Sequence, residues 1–273
     1  MTPLAALRPR RRERSTGLPP VLVPFAFLAL LFLLLPVVGL LIRAPWRTLP
    51  ETLTRPESLD ALRLSLVSAS LATLVCLLLG VPLAWVLARS SFRGRALLRA
   101  LVTVPLVLPP VVGGVALLSV LGRRGVLGRP LDEVLGISLP FTTAAVVIAE
   151  AFVAMPFLVL AVEGALRGAD RRLDDAAATL GATRWYTFRR VTLPLVAPGL
   201  AAGAVLCWAR ALGEFGATIT FAGNFPGTTR TMPLEVYIAL QTDPDAAIAL
   251  SLVLLLVSVA VLGALRERWL GER

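Results

Sequence analysis

Long apolar runs separated by short arginine-bearing segments set the pattern of this 273-residue chain. A run of about 20 apolar residues can cross the hydrocarbon core of a bilayer as a helix. The first is free of charge from Ser15 to Ile42, with its apolar core starting at Val21. It is too long for a signal-peptide core and lacks a small-residue cleavage site, so it reads as a retained helix. Further runs lie at Leu64–Ala88, about Leu97–Leu121, about Phe141–Leu166, about Leu195–Phe221 and about Ala246–Leu265. The pattern predicts an all-α, polytopic membrane protein with six transmembrane helices. An even number of spans places both termini on one side.

Arginine sets the orientation. One side collects Arg8, Arg10, Arg11, Arg12 and Arg14, then Arg89, Arg93, Arg95 and Arg99. It also holds Arg167, Arg171, Arg172, Arg184, Arg189 and Arg190, then Arg266, Arg268 and Arg273. The other side has only Arg43, Arg47, Arg55, Arg123, Arg124, Arg129 and Arg230, while Arg63 and Arg210 fall at or within spans. The positive-inside rule then puts both termini in the cytoplasm of a cell inner-membrane protein. Topology and contact with anionic lipid headgroups account for the net charge of +10 without a nucleic-acid partner.

Composition narrows the chemistry. Hydrophobic residues make up 57% of the chain and charged residues 16%, against about a quarter charged in soluble domains. There is no His and no Lys. Imidazole metal sites, His bases and Lys Schiff bases are therefore absent. A phosphate-binding loop of the G-x-x-x-x-G-K-[ST] type is absent too, so ATP hydrolysis is expected elsewhere. Cys76 and Cys207 lie in apolar runs and read as small buried hydrophobes. Pro36, Pro82, Pro105, Pro109, Pro110, Pro156 and Pro198 recur in or near the spans. Such kinks suit a bundle that encloses a pathway.

The stretch at 167–194, RGADRRLDDAAATLGATRWYTFRRVTLP, is too long and too patterned for a tether. Asp170 is placed as an N-cap, with Asp174 and Asp175 near the positive end of the helix dipole. Leu173, Ala177 and Leu180 share one face by helical spacing, and Gly181 sits where a C-terminal cap belongs. Trp185, Phe188 and Val191 form a second stripe ending at Pro194. The prediction is two short amphipathic helices joined near Gly181. They would either lie on headgroups or dock into a cytoplasmic partner.

Asp175-Ala176-Ala177, three residues, Gly181, nine residues and Val191-Thr192-Leu193-Pro194 resemble the EAA loop of ABC importer membrane subunits. Asp replaces Glu and Val replaces Ile. The resemblance implies a type I permease bundle that dimerises and inserts this loop as a coupling helix into a separate ATPase. That partner would bind ATP and Mg; no cofactor is expected in this chain. The implied coupling residues are Asp174, Asp175, Ala176, Ala177, Leu180, Gly181, Ala182, Val191, Leu193 and Pro194. The implied organisation is a basic tail at 1–19, a first helix with external loop at 20–60, a permease core at 61–265 and a tail at 266–273.

A second cluster spans Ala209 to Tyr237. Arg210 and Glu214 are four apart and can share one helix face. They read either as an ion pair holding the bundle or as a polar group on a translocation path. Glu163 and Arg167 form another such pair, and Glu150 is open to the same two readings. Gly213, Gly216, Thr218, Thr220 and Asn224 offer neutral donors for a passing oxyanion, or close packing. The string G-E-F-G-A-T with F-A-G-N-x-P-G-x-T-x-T-x-P-L is similar to the molybdate permease branch, with sulfate/thiosulfate and tungstate permeases as alternatives. The resemblance implies an extracytoplasmic oxyanion-binding protein and a second permease subunit, this chain itself. A proton-coupled secondary transporter using Glu150, Glu163 or Glu214 would leave the coupling motif unexplained. An intramembrane enzyme finds no nucleophile with a base, and Ser65, Ser68 and Ser70 read as packing or backbone-bonding residues.

Overall fold

The computed structural model describes residues 21–270, without the side chains of Leu262 and of residues 264–270. The basic segment at 1–19 and the last three residues lie outside the described residues. Two units are described. The first holds α1 (Leu22–Arg43), a helix with Pro36 inside it. Everything from Ala44 onward belongs to the second. Five helices are long and apolar enough to cross a membrane, and six spans result when one sharply bent pair is taken as one. No strand occurs among the described residues.

The second unit is organised around α7 (Thr143–Gly168), with 61% of its most apolar stretch buried. It starts with a cap: the Thr142 hydroxyl accepts from the Ala145 N–H at 3.2 Å. Its partners are α3 (Pro56–Arg89) and α10 (Leu193–Leu212). Small residues let these helices approach, as expected where apolar burial gives no preference for protein over lipid. Ser65, Ser68, Ala69, Ala72, Thr73, Cys76, Gly80 and Ala84 form the buried stripe of α3. A Cβ on Gly80 would come 3.2 Å from the Val159 side chain, and one on Gly203 would come 2.9 Å from Ala161 Cβ. Cys76 and Cys207 are both free and buried in this core, as the apolar runs around them predict.

The third apolar run is not one straight helix. It divides into α4 (Arg95–Val107) and α5 (Pro110–Leu121), bent by 117°. The Pro109-Pro110 pair explains the break. Leu108 is pushed to an extended ψ of 129° ahead of a proline ring, and Pro109 follows at ψ 133°. Pro110 then opens α5 at the position where a missing N–H costs nothing.

The fifth run also divides. α10 stops at Leu212, and α11 (Gly216–Phe221) begins after three non-helical residues. α11 lies against α5 at contact distances only glycine allows. A Cβ on Gly114 would fall 2.6 Å from Thr220 Cβ, and one on Gly216 would fall 2.8 Å from Pro110 Cβ. Short helices absent from the hydropathy pattern complete the loops: α2 (Leu49–Thr54), α6 (Gly128–Leu135) and α12 (Met232–Thr242). α12 is anchored through its first residue, whose N–H donates to Ser65 Oγ of α3 at 2.7 Å. It packs on α13 (Pro244–Leu270). The residues assigned from sequence to a C-terminal tail at 266–270 continue that helix; their side chains lie outside the described residues.

Candidate functional site

The 167–194 stretch folds as a helix, a glycine turn and a second helix. Asp170 caps α8 (Arg171–Thr179) by accepting from the Arg172 N–H at 2.9 Å. Gly181 has φ +80°, a conformation that costs a residue with a Cβ about 1–2 kcal/mol. Around it the Ala182 N–H bonds the Ala177 carbonyl and the Gly181 N–H bonds the Ala178 carbonyl, each at 3.0 Å. That pair of bonds closes a Schellman cap. Thr183 then caps α9 (Arg184–Thr187). The cap and turn expected from sequence are both present.

The second helix does not end at Pro194. A π-turn at Phe188–Thr192 joins α9 to α10, so one helical rod runs from the loop into the membrane span. The Leu193 N–H bonds the Phe188 carbonyl, five residues back. The wide turn makes room for a proline ring that would otherwise strike the carbonyl of Arg190. Val191, Leu193 and Pro194 therefore sit on the rod, not at a terminus.

The loop is bonded to the bundle at one place. Asp174 meets Arg89, the last residue of α3, at 3.4 Å, and it accepts the Thr192 hydroxyl at 2.9 Å. Arg171 donates to the Ala88 carbonyl at 3.3 Å. Beside them Trp85 meets Phe188 edge-on, Phe188 stacks with Trp185, and Arg89 lies over the Trp85 ring. Asp174 thus faces the bundle, whereas Asp175, Ala176, Leu180 and Gly181 are exposed and Ala177 and Ala182 are half-buried. Leu173 is 46% exposed, Leu180 88% and Trp185 67%, so the apolar stripe is left uncovered. Arg89 and Thr192 escape sequence reasoning because nothing in the local pattern marks them as partners of Asp174.

The second cluster separates into three groups. At the break after α10, Arg210 pairs with fully buried Glu214 at 2.6 Å. Glu214 lies past the helix end, so the pair bridges a break; it does not line one helix face. Its other oxygen accepts the Ala217 N–H in the first turn of α11 at 2.9 Å. One carboxylate therefore fastens both sides of the break, with exposed Gly213 between them. Gly216 and Thr220 belong to the α5–α11 contact, where the Thr220 hydroxyl bonds the Gly216 carbonyl at 2.8 Å, and Thr218 is fully buried with its hydroxyl unpaired. Asn224 sits apart in the following loop and accepts from Arg230 at 2.9 Å.

Two further buried carboxylates have defined partners. Glu150 accepts the Ser68 hydroxyl at 2.8 Å, and its other oxygen has no partner. Glu163 is gripped by Arg167 at 2.6 Å, the pair expected from spacing, and by Arg99 of α4 at 2.7 Å, which spacing cannot show. Ser70 bonds its own helix at the Leu66 carbonyl and also receives the Trp208 N–H at 3.2 Å. Ser65 and Ser68 serve other helices, so the backbone-bonding expectation covers only part of their role.

Residues 80–272 match the family described as binding-protein-dependent transport system inner membrane component. The molybdenum transport system permease protein ModB of Mycobacterium tuberculosis is 52% identical over 86% of this chain and 89% of its own length. ModB of Escherichia coli K12 is 46% identical over 81% of this chain and 96% of its own. In fold, the chain is similar to the crystal structure of a bacterial ABC transporter that imports the acidic polysaccharide alginate. That match has a TM-score of 0.73 and 19% identity, and covers 92% of this chain and 94% of that one.

Proposed function

The chain belongs to the family of binding-protein-dependent transport system inner membrane components, and on that premise we propose that it carries molybdate through the membrane as the permease of an ATP-driven importer. The names of its relatives in Mycobacterium tuberculosis and Escherichia coli support that cargo. Both termini face the cytoplasm, on the arginine-rich side. Two copies of the chain form the pathway, and an extracytoplasmic oxyanion-binding protein delivers cargo to the opposite face.

One observation carries the mechanism: α8 and its glycine turn are bonded inward through Asp174 while Asp175, Ala176, Leu180 and Gly181 face outward. The outward surface receives a separate ATPase, which binds ATP and Mg. Small alanines allow a close approach, and the Schellman cap keeps the turn stiff. Asp174 acts behind that contact by passing displacement to α3. The α9–α10 rod passes it to the break held by Glu214. Both α3 and α10 pack on α7, so motion of the loop tilts the whole core.

Uptake of labelled molybdate in cells with and without the gene, competed by sulfate and tungstate, tests the cargo. Molybdate uptake should depend on the gene and resist excess sulfate. Loss of sulfate uptake alone would replace molybdate with sulfate. Uptake that persists when ATP is removed but collapses with the proton gradient would replace the ATPase with proton coupling.

A further inference from the structure

A cavity of about 700 Å³ opens where the α3–α4 turn, α4 and the end of α7 meet. Arg93, Arg95, Arg99 and Arg167 line it together with Phe92 and Ala96. Only one carboxylate offsets these charges: Glu163 takes both Arg99 and Arg167, and no acidic side chain among the described residues lies within 4.0 Å of Arg93 or Arg95. Arg99 and Arg167 keep 43% and 38% of their side chains exposed despite that pairing. The first turn of α4 adds to the positive field, because Gly94 supplies no side-chain cap for its free N–H groups.

The same helix is apolar on the side away from the cavity, with Leu97 at 66% and Leu101 at 58% exposure. Within the cavity, Phe92, Ala96 and Ala100 form an apolar wall beside the arginines, which matches an amphiphile with an anionic head and acyl chains. Basic pockets between membrane helices take anionic headgroups on this ground. A free oxyanion would use the arginines and leave the apolar wall of Phe92, Ala96 and Ala100 uncovered.

We propose that this cavity is a binding site for the phosphate headgroup of an anionic phospholipid, held by Arg93 and Arg95 and bordered by the Glu163-anchored Arg99 and Arg167. Filling it would brace α4 against α7 on the side that carries the coupling loop. The site is independent of cargo.

The test is native mass spectrometry of the full permease–ATPase complex released from nanodiscs of phosphatidylcholine with phosphatidylglycerol. The comparison is between wild type, R93Q/R95Q and R123Q/R124Q, the last removing two charges from a different loop. At about 1 kcal/mol for each basic residue at a headgroup, R93Q/R95Q should weaken phosphatidylglycerol retention by about 30-fold. R123Q/R124Q should leave it unchanged, and phosphatidylcholine carry-over should be equal in all three. Equal retention by R93Q/R95Q and wild type overturns the site, as does an equal loss in both double variants. Displacement of the lipid by millimolar inorganic phosphate would make the occupant a free oxyanion and overturn the lipid assignment.

Discussion

Asp174 on α8 and Arg89 at the end of α3 lie 3.4 Å apart, and the Thr192 hydroxyl completes the junction at 2.9 Å. The Asp174 side chain is 29% exposed and that of Arg89 12%, so the pair is less screened than a surface ion pair. It ties the loop to α3, in addition to the chain connections to α7 at one end and to α10 at the other. A load on α8 is thereby shared between two helices that flank α7.

Asp174→Ala should therefore cost about 2 kcal/mol in docking of the loop, from the lost charged hydrogen bond and ion pair. The variant should still co-purify with its ATPase, since its outward surface is intact, but transport per ATP hydrolysed should fall. Measuring hydrolysis and uptake in the same vesicles checks this. The exchange Arg89→Asp with Asp174→Arg should recover part of the loss.

Gly181→Ala should destabilise the turn by about 1–2 kcal/mol, because φ +80° brings a Cβ against its own backbone. Nothing lies within 4 Å of the added atom, so the penalty is conformational and Gly181→Asn should be milder. Gly181→Trp should remain in the membrane yet lose its ATPase in pull-down. Normal transport by that variant would remove the coupling role.

Glu163→Gln leaves two partly exposed arginines, Arg99 and Arg167, over a buried neutral amide. Losing the charged hydrogen bonds should cost about 1.5–3 kcal/mol, and the melting temperature in detergent should fall accordingly. Arg99→Gln should be milder, since Arg167 still neutralises the carboxylate at 2.6 Å.

Gly114→Ala tests the α5–α11 contact. The new methyl would meet Thr220 Cβ at 2.6 Å and the Ala217 carbonyl at 2.9 Å, so overpacking should cost about 1–3 kcal/mol. Molybdate uptake should drop with that loss, and Thr220→Ser in the same chain should not restore it, because serine keeps the Cβ that the new methyl meets. Thermal stability and uptake of both variants give the comparison.

Glu214→Gln should keep its acceptor to the Ala217 N–H at 2.9 Å but lose the ionic contact with Arg210. Glu214→Ala removes both and should free α11 from α10. Thermal stability should rank wild type above Gln and Gln above Ala, with uptake following the same order.

The spans, the cap at Asp170, the turn at Gly181 and the Glu163–Arg167 and Arg210–Glu214 pairs are written in local spacing. Each depends on residues within a few positions of one another, where backbone geometry and hydrophobic period decide the outcome. The breaks at Leu108–Pro109 and Gly213–Phe215 are half-visible in that spacing: proline and glycine mark the places, but hydropathy runs straight across them. Bilayer length alone cannot distinguish a straight span from a bent one, because both satisfy apolar burial.

What the folded chain alone decides is which distant groups share a carboxylate. Ser68 joins Glu150 because small residues bring α3 and α7 close, Arg99 joins Glu163 where α4 lies against α7, and Arg89 joins Asp174 where α8 folds back on the end of α3. A sequence states the charge and reach of a side chain, and so it determined up to six apolar spans and a patterned loop at 167–194. Which face each side chain turns to, and whom it meets there, follows from helix packing, where contacts between residues far apart in the chain set the energy.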